Sequence, residues 1–302
     1  MKTTESAETL DALFHQAVSA IDAGDVTALE HLLAAHSELV RERLDSPGAW
    51  LRDKVGNALD GFFQRPYLLW FVAEDPVRNG ELPRNIAQIA RAIIQAAQRG
   101  GVNSLREQLD YALRLVCWSW IARECGVQIQ LIDVLTGAGA AVDGTHSDAA
   151  IYNGNFAAAA HLLERGAPLT LSTALCLGRW ADAERLARTS SLGEKQDAFV
   201  LAALKGQAEA LRRMLALGVD PTTVSAQTQS HGTALHHAVW SRSLEAVRVL
   251  VEAGADLNRR DTIHGATPLG WATHAAQEEK EESRAKQYAE IAAYLREKGG
   301  QG

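Results

Sequence analysis

Histidines are concentrated near the C-terminal end of the sequence, where five of them lie within 44 residues. They are His231, His236, His237, His264 and His274. Imidazole nitrogens bind Zn²⁺ and act as general acids and bases, so a metal centre or a catalytic site has to be considered. His236 and His237 are adjacent, however, and on a helix they would point about 100° apart, unlike the i, i+4 pairs that share a metal ion. We therefore predict neither a metal site nor a catalytic residue in this cluster.

Other motifs for covalent catalysis or cofactor binding do not appear in the sequence. There is no Gly-x-Ser-x-Gly motif and no Walker-type phosphate loop, and the three cysteines lack Cys-x-x-Cys spacing. We predict no cofactor, and we favour a non-enzymatic protein over an enzyme. The formal charge of −7 argues against a nucleic-acid-binding protein, because phosphates are bound by an excess of Lys and Arg.

The cellular location is predicted from the N-terminus and from the length of the apolar stretches. The N-terminus lacks the apolar segment of a secretory signal, and no stretch approaches the ~20 apolar residues that a membrane helix requires. These features predict a cytoplasmic protein without membrane contact. Arg outnumbers Lys 23 to 7, a composition typical of a GC-rich bacterial genome.

The elements that carry the histidines repeat along the chain. A phrase that begins at His231 begins again at His264, 33 residues later. In five places, a turn residue and the residue that closes the following helix are separated by 12 positions. These pairs are Arg242–Gly254, Gly206–Gly218, Gly154–Gly166, Gly24–His36 and the weaker Gly178–Ser190. Each segment predicts a short helix pair whose apolar stripe must pack on a neighbouring pair, so we expect the pairs to stack.

The repeated residues resemble the ankyrin repeat. Thr233–Ala238 (TALHHA) and Thr267–Ala272 (TPLGWA) match the Thr-Pro-Leu-His-x-Ala signature of that family. Val247–Asp261 (VRVLVEAGADLNRRD) matches its second helix and its Gly-Ala-Asp turn. The match is specific over about 195–299, fair over 146–194 and 10–45, and poor over about 46–145.

The resemblance implies an all-α, ankyrin-repeat solenoid of about seven to eight helix-turn-helix repeats. Short turns, here called fingertip turns, join each repeat to the next. We predict a single solenoid over residues 1–302. Residues 1–145 should form divergent helical repeats with inserted loops, and residues 146–302 should form more regular repeats with a C-terminal cap.

The resemblance also implies roles for individual polar residues. His236 occupies the signature position whose histidine, in ankyrin repeats, hydrogen-bonds within and between fingertip turns. His231 and His264 fall on equivalent fingertip turns of successive repeats. His146 and Asp148 are interpreted as the fingertip and cap residues of another first helix.

Two local predictions concern the divergent part. Ser104–Glu107 has the pattern of a capping box, which predicts a long helix from there through Arg123. Trp118 and Trp120 lie in an apolar run and are predicted to belong to the core.

Side chains that the repeat does not need for folding indicate a functional surface. In ankyrin repeats, the fingertip turns and the solvent side of each first helix line a concave groove that usually binds a protein partner. Exposed aromatic residues are typical interface anchors. We therefore predict a protein-binding surface formed by Tyr152, Gln229, His231, His237, Trp240, Thr262, Ile263, His264 and Trp271. We expect Trp240→Ala and Trp271→Ala to abolish partner capture and to leave thermal unfolding nearly unchanged.

An alternative places an enzyme active site or a small-molecule pocket in the divergent region 46–145. Trp70 would line this pocket with Glu74, Asp75 and Arg78 from an inserted loop. A closed apolar pocket with converging polar groups would favour this alternative, whereas an open groove would favour protein binding. The sequence does not distinguish an adaptor, a toxin-neutralising partner and a regulator. It also leaves the oligomeric state open, with a monomer as the simplest case.

Overall fold

Helices and turns make up the structure of this chain. The computed structural model describes residues 2–73, 80–228 and 230–302, with only the backbone for residues 2–9. No residue in these ranges belongs to a β-strand, and the predicted all-α class is confirmed. None of the described helices is long and apolar enough to cross a lipid bilayer.

The chain divides into two compact units, residues 1–168 and residues 169–302. The first unit contains the 3₁₀ helices Gly56–Asp60 and Leu68–Val72. Its α-helices are α1 (Lys2–Ala23), α2 (Val26–Ala35), α3 (Glu38–Arg41), α4 (Ala49–Val55), α5 (Ile86–Arg99), α6 (Leu105–Trp118), α7 (Trp120–Glu124), α8 (Gln128–Gly137), α9 (Gly144–Tyr152) and α10 (Phe156–Glu164). The second unit contains α11 (Leu171–Cys176), α12 (Trp180–Thr189), α13 (Leu192–Leu204), α14 (Ala208–Ala216), α15 (Ala234–Trp240), α16 (Leu244–Glu252), α17 (Pro268–Glu278) and α18 (Glu282–Glu297).

Helices pack as pairs, and the pairs stack in chain order within each unit. The pairs of the first unit are α1 with α2, the 3₁₀ helix Leu68–Val72 with α5, α6 and α7 with α8, and α9 with α10. Those of the second unit are α11 with α12, α13 with α14, α15 with α16, and α17 with α18. Neighbouring first helices contact one another within each unit. The described residues thus form eight pairs, in agreement with the predicted seven to eight.

The apolar stripes of the second unit meet in one core. Phe199, Leu235, Leu250 and Ile291 come from three successive helix pairs and are all fully buried in it. Burial of each such side chain contributes about 1.5–3 kcal/mol, and no pair could achieve this burial alone. The stacking that the sequence predicts is therefore the source of the core.

A left-handed residue ends six of the first helices in the described chain. In each case it follows a buried alanine by four positions, and its φ lies between 63° and 77°. The residues are Gly24, Gly126, Gly154, Gly178, Gly206 and Arg242. At the five glycines, the next amide donates to the carbonyl of that alanine at 2.7–2.9 Å, a Schellman-type helix end. At Arg242, the Ser241 hydroxyl instead donates to the Ala238 carbonyl at 2.7 Å and accepts from the Ser243 amide.

Two glycines of the same repeat allow the packing of this turn to be tested. A Cβ at Gly206 would lie 2.8 Å from the Ser243 Cβ, whereas a Cβ at Gly218 would meet no atom within 4 Å. Both have positive φ, so alanine at either should cost about 1 kcal/mol in backbone strain. We expect Gly206→Ala to cost about 1–3 kcal/mol more than Gly218→Ala, because of the clash. Urea unfolding of both variants measures this difference, and equal losses would show that the two repeats are not in tight contact here.

The predicted helix from Ser104 through Arg123 is interrupted, and that prediction is wrong. Ser119 has an extended backbone (φ −69°, ψ 110°), and its hydroxyl accepts from the Ala122 amide at 2.9 Å, which begins α7. The Gln128 side-chain amide donates to the Ser119 carbonyl at 3.1 Å, so the hydroxyl and the carbonyl of Ser119 both have hydrogen-bond partners at the break. Ser104 makes no side-chain capping bond.

This interruption also changes the surroundings of the two tryptophans next to it. Trp118 is half-buried and packs on Phe62 with ring centroids 6.3 Å apart, which agrees with a place at the edge of the core. Trp120 is the first residue of α7 and is 50% exposed, so its predicted core position is wrong.

The start of α9 also differs from the prediction. The cap residue is Asp143, whose carboxylate accepts from the Thr145 amide at 2.9 Å. His146 lies in the first turn with Nδ1 2.9 Å from that carboxylate, and Asp148 follows within the helix. The prediction placed the cap too far along the chain, because the fingertip turn here is shorter than in the regular repeats.

Candidate functional site

Five aromatic rings come together in the second unit around Trp271. Thr267 caps α17 by accepting from the Gly270 amide at 3.0 Å, and Pro268 begins the helix, which places Trp271 at the end of its first turn. The Trp271 ring is half-buried and stacks on one imidazole at 5.5 Å. It meets the other three rings edge-on at 5.0, 6.0 and 6.4 Å. The stacked ring is that of His231, and the three edge-on rings are those of His236, His237 and Trp240, in order of increasing distance.

A buried carboxylate holds this cluster to the next fingertip turn. Asp261 Oδ1 accepts from the amides of Ile263 and His264 at 2.9 and 2.7 Å. Its Oδ2 accepts from the Ala266 amide at 2.9 Å and from the Trp271 indole Nε1 at 3.0 Å. One side chain therefore fixes both the fingertip backbone and the orientation of the indole.

These four donors determine the ionisation of Asp261. Burial opposes a charged carboxylate, but the hydrogen bonds from the His264 amide, the Trp271 indole and two further amides outweigh it. They hold the pKa of the Asp261 carboxyl well below its usual range. The carboxylate is thus ionised and fully used within the turn.

His236 has the structural role that the ankyrin resemblance implies. The Thr233 amide donates to its Nδ1 at 3.2 Å, so the proton lies on Nε2, which donates to the Ala266 carbonyl at 3.1 Å. His236 is buried and joins two consecutive fingertip turns. Burial lowers the pKa of its imidazole, and the ring therefore stays neutral near pH 7.

The exposed residues of this assembly lie on α15 and on two fingertip turns that are joined by a hydrogen bond. The Thr262 amide donates to the His231 carbonyl at 2.9 Å, which joins the two fingertip turns. Trp240 and Ile263 are 57% and 65% exposed, and Thr262 and His264 are exposed as well. We call this area the Trp240–Ile263 surface; it consists of His231, Trp240, Thr262, Ile263, His264 and Trp271.

His237 is not part of the exposed surface to which the sequence assigned it. Only 2% of the residue is exposed, and its ring packs edge-on against the Trp271 ring. Gly232 makes this possible, since a Cβ there would lie 3.3 Å from the His237 Nε2. The absence of a side chain at Gly232 lets the imidazole lie beneath the fingertip turn, where it supports Trp271 instead of facing a partner.

Two other predicted surface residues lie apart from this assembly. Tyr152 ends α9 in the first unit and is half-buried. Gln229 lies outside the described residues. Their assignment to a binding surface remains a prediction.

The alternative pocket receives little structural definition. Trp70 is buried among aromatic rings of the first unit, 4.3 Å from the Tyr111 ring and 5.5 Å from the Tyr67 ring. Glu74, Asp75 and Arg78 lie outside the described residues. A groove of about 300 Å³ lies between α5 and α8, lined in part by Arg91 and Asp133, and Trp70 does not line it. A small-molecule site that includes Trp70 therefore remains a prediction.

Asp261 is the functional residue that the sequence reasoning missed. Its signal in the sequence is weak, since it is one Asp in a turn that also contains Thr and Gly, a composition typical of Asx turns.

In the part of the chain that the structure describes, no group of three or more His, Cys, Asp or Glu side chains could hold a metal ion.

Comparison with known families identifies the repeat. A family model described as ankyrin repeats matches residues 148–261 with three copies. Residues 148–261 are ankyrin repeats. The matched segment runs from within α9 to Asp261, so the Trp240–Ile263 surface lies at the C-terminal end of the recognised ankyrin repeats and just beyond it.

Individual relatives are similar to parts of this chain. Protein PhlB of Serratia liquefaciens is 32% identical over 116 residues, which are 37% of this chain and 50% of PhlB. The E3 ubiquitin-protein ligase KEG of Arabidopsis thaliana is 44% identical over 62 residues, which are 20% of this chain and 4% of the ligase. The chain therefore spans half of one relative and a small part of the other. Among solved structures, the human ASB11 ankyrin repeat domain is similar at 20% identity and a TM-score of 0.37, over 72% of this chain and 96% of that domain.

Proposed function

We propose that this ankyrin-repeat protein binds a protein partner through the Trp240–Ile263 surface. The observation that carries the proposal is the exposure of Trp240 and Ile263, 57% and 65%, next to an indole that is fixed by hydrogen bonds. Large apolar side chains exposed together are costly to a soluble protein unless a partner covers them. Tryptophan is also among the residues that contribute most to binding energy.

Preorganisation supports the same proposal. Asp261 holds the Trp271 indole and the amides of Ile263 and His264 in place without a partner. A surface that is already ordered loses less conformational entropy on binding, so more of the contact energy appears as affinity. The fingertip turn can then present Ile263 on a backbone that is already fixed.

A double variant in which both exposed apolar side chains are shortened tests the surface. We expect the full chain with Trp240→Ala and Ile263→Ala to retain its helical content but to bind its partners at least about tenfold more weakly, because two apolar anchors are removed. Leu217→Ala is the matched control, since Leu217 is 49% exposed at the end of α14 and does not belong to the Trp240–Ile263 surface. Quantitative affinity capture from the native host compares the unmodified protein, the double variant and Leu217→Ala. If every captured protein is recovered equally by all three, the surface is not the binding site.

We further propose a reducing, cytoplasmic location and a monomeric state for the free protein. The location is supported by Cys117 and Cys125, which are free thiols. Size-exclusion chromatography with light scattering measures the oligomeric state directly.

A further inference from the structure

The fingertip turn of the Trp240–Ile263 surface carries positive charge. Arg259 and Arg260 are exposed on it. Asp256, earlier in the turn, is exposed, but Asp261 is buried and its two oxygens accept four hydrogen bonds from the turn and from Trp271. Its charge is therefore satisfied inside the turn, while the two guanidinium groups lie outside.

The two arginines lack carboxylate partners, unlike many other arginines of the second unit. Among the described residues, no carboxylate lies within 4 Å of Arg259 or Arg260. By contrast, Arg185 on α12 and Arg213 on α14 each form an ion pair with an acidic side chain. The Arg260 guanidinium donates to the Gly265 carbonyl at 2.6 Å, which holds it against the turn with other N–H donors still available.

We propose that the Trp240–Ile263 surface binds an acidic peptide segment that also carries a large apolar side chain. This inference rests on the proposed function and names the partner's chemistry. The apolar side chain packs against Trp240 and Ile263, and carboxylates of the segment pair with Arg259 and Arg260. Arginine suits this role because its planar fork binds a carboxylate through two parallel hydrogen bonds.

The charge balance of the chain agrees with a local basic site instead of a general attraction. Residues 1–168 contain 14 basic and 21 acidic side chains, whereas residues 169–302 contain 16 of each. The chain as a whole repels an acidic segment at long range, so such a segment must be held by the arginines at the fingertip turn itself. Binding should accordingly weaken as salt rises and screens those exposed charges.

Selection of random dodecapeptides displayed on phage, with the full-length protein as the target, tests the proposal. We expect the enriched peptides to combine at least two Asp or Glu residues with an aromatic or long aliphatic residue. Fluorescence polarisation with the synthesised peptides should show about tenfold weaker binding to Arg259→Gln/Arg260→Gln, as the loss of two charge-assisted contacts predicts. The control Arg185→Gln/Arg188→Gln removes the same charge from α12 and should bind as the unmodified protein does.

The outcomes separate the two proposals. Peptides that need Trp240 but lack acidic residues, or that bind equally well to the Arg259→Gln/Arg260→Gln variant, overturn the acidic partner and leave the binding surface standing. Equal weakening by the α12 control also overturns it, because the attraction is then unspecific. Binding of the same peptides to Trp240→Ala is measured as well. If no selected peptide binds this variant more weakly than the unmodified protein, the proposed function itself fails.

Discussion

The Asp261→Asn substitution is expected to lower the free energy of unfolding by about 3 kcal/mol, the largest effect we expect from one isosteric change. Each Asp261 oxygen accepts two hydrogen bonds, and an asparagine replaces one of these oxygens with an NH₂ group. Two donors of the turn then face another donor and lose their acceptor in a buried place. Urea unfolding, followed by tryptophan fluorescence, measures the loss.

A neighbouring aspartate provides the control for this substitution. Asp256 is exposed and accepts from the Asn258 amide alone, at 2.9 Å. We expect Asp256→Asn to change the unfolding free energy by less than about 0.5 kcal/mol. Amide hydrogen exchange should also accelerate across residues 261–271 in Asp261→Asn and not in Asp256→Asn. Equal stability of the two variants would refute the role assigned to Asp261.

The pH dependence of stability gives a second measurement of the same contribution. The pKa of Asp261 is lower in the folded protein than the value near 3.9 of an unfolded chain. Its stabilisation is therefore complete above about pH 4 and is lost as the pH falls from there towards the folded-state pKa. The difference in urea midpoint between the unmodified protein and Asp261→Asn should be constant from pH 7 to 5 and should narrow below pH 4.

Trp271→Ala is expected to cost about 2–3 kcal/mol of stability, because a half-buried indole is removed from four ring contacts. The substitution also takes one donor from Asp261. Trp240→Ala removes a side chain that is 57% exposed and should cost less than about 1 kcal/mol. Thermal unfolding of the two variants measures this separation.

The sequence alone led to the expectation that both tryptophan variants would unfold as the unmodified protein does. The structure separates them, since Trp240 lies on the surface and Trp271 connects the surface to the turn beneath it. Both variants should lose partner binding, but only for Trp240→Ala does that loss report a direct contact. If the two variants melt at the same temperature, the ring cluster around Trp271 does not contribute to stability.

Parts of the candidate site could be predicted because their determinants are local. The spacing between His231 and His264 places equivalent residues on successive turns, and the structure joins those turns through the Thr262–His231 hydrogen bond. Thr267 and Pro268 begin α17 as their types predict. Trp240 and Ile263 are exposed, as expected for residues that the repeat does not require.

Other parts could not be predicted because they depend on which side chains meet in space. His237 and Trp271 occupy the same position of two successive repeats, yet the first is buried beneath the second. Trp120 lies in an apolar run but outside the core. Ser119 breaks the helix, and Trp120, as the first residue of α7, is exposed. Neither outcome follows from helical periodicity.

The sequence by itself determined the repeat, the all-α class and the turns between paired helices. Each of these follows from interactions within about a dozen residues: apolar periodicity, capping side chains, and glycines that adopt a left-handed backbone at little cost. Only the tertiary structure decided that Asp261 is buried and joins a fingertip turn to an indole ten positions away, while Arg259 and Arg260 remain exposed beside it. The physical reason is that a carboxylate is removed from the surface only when several donors converge on it, and the folded turn brings three backbone amides and the Trp271 indole to Asp261.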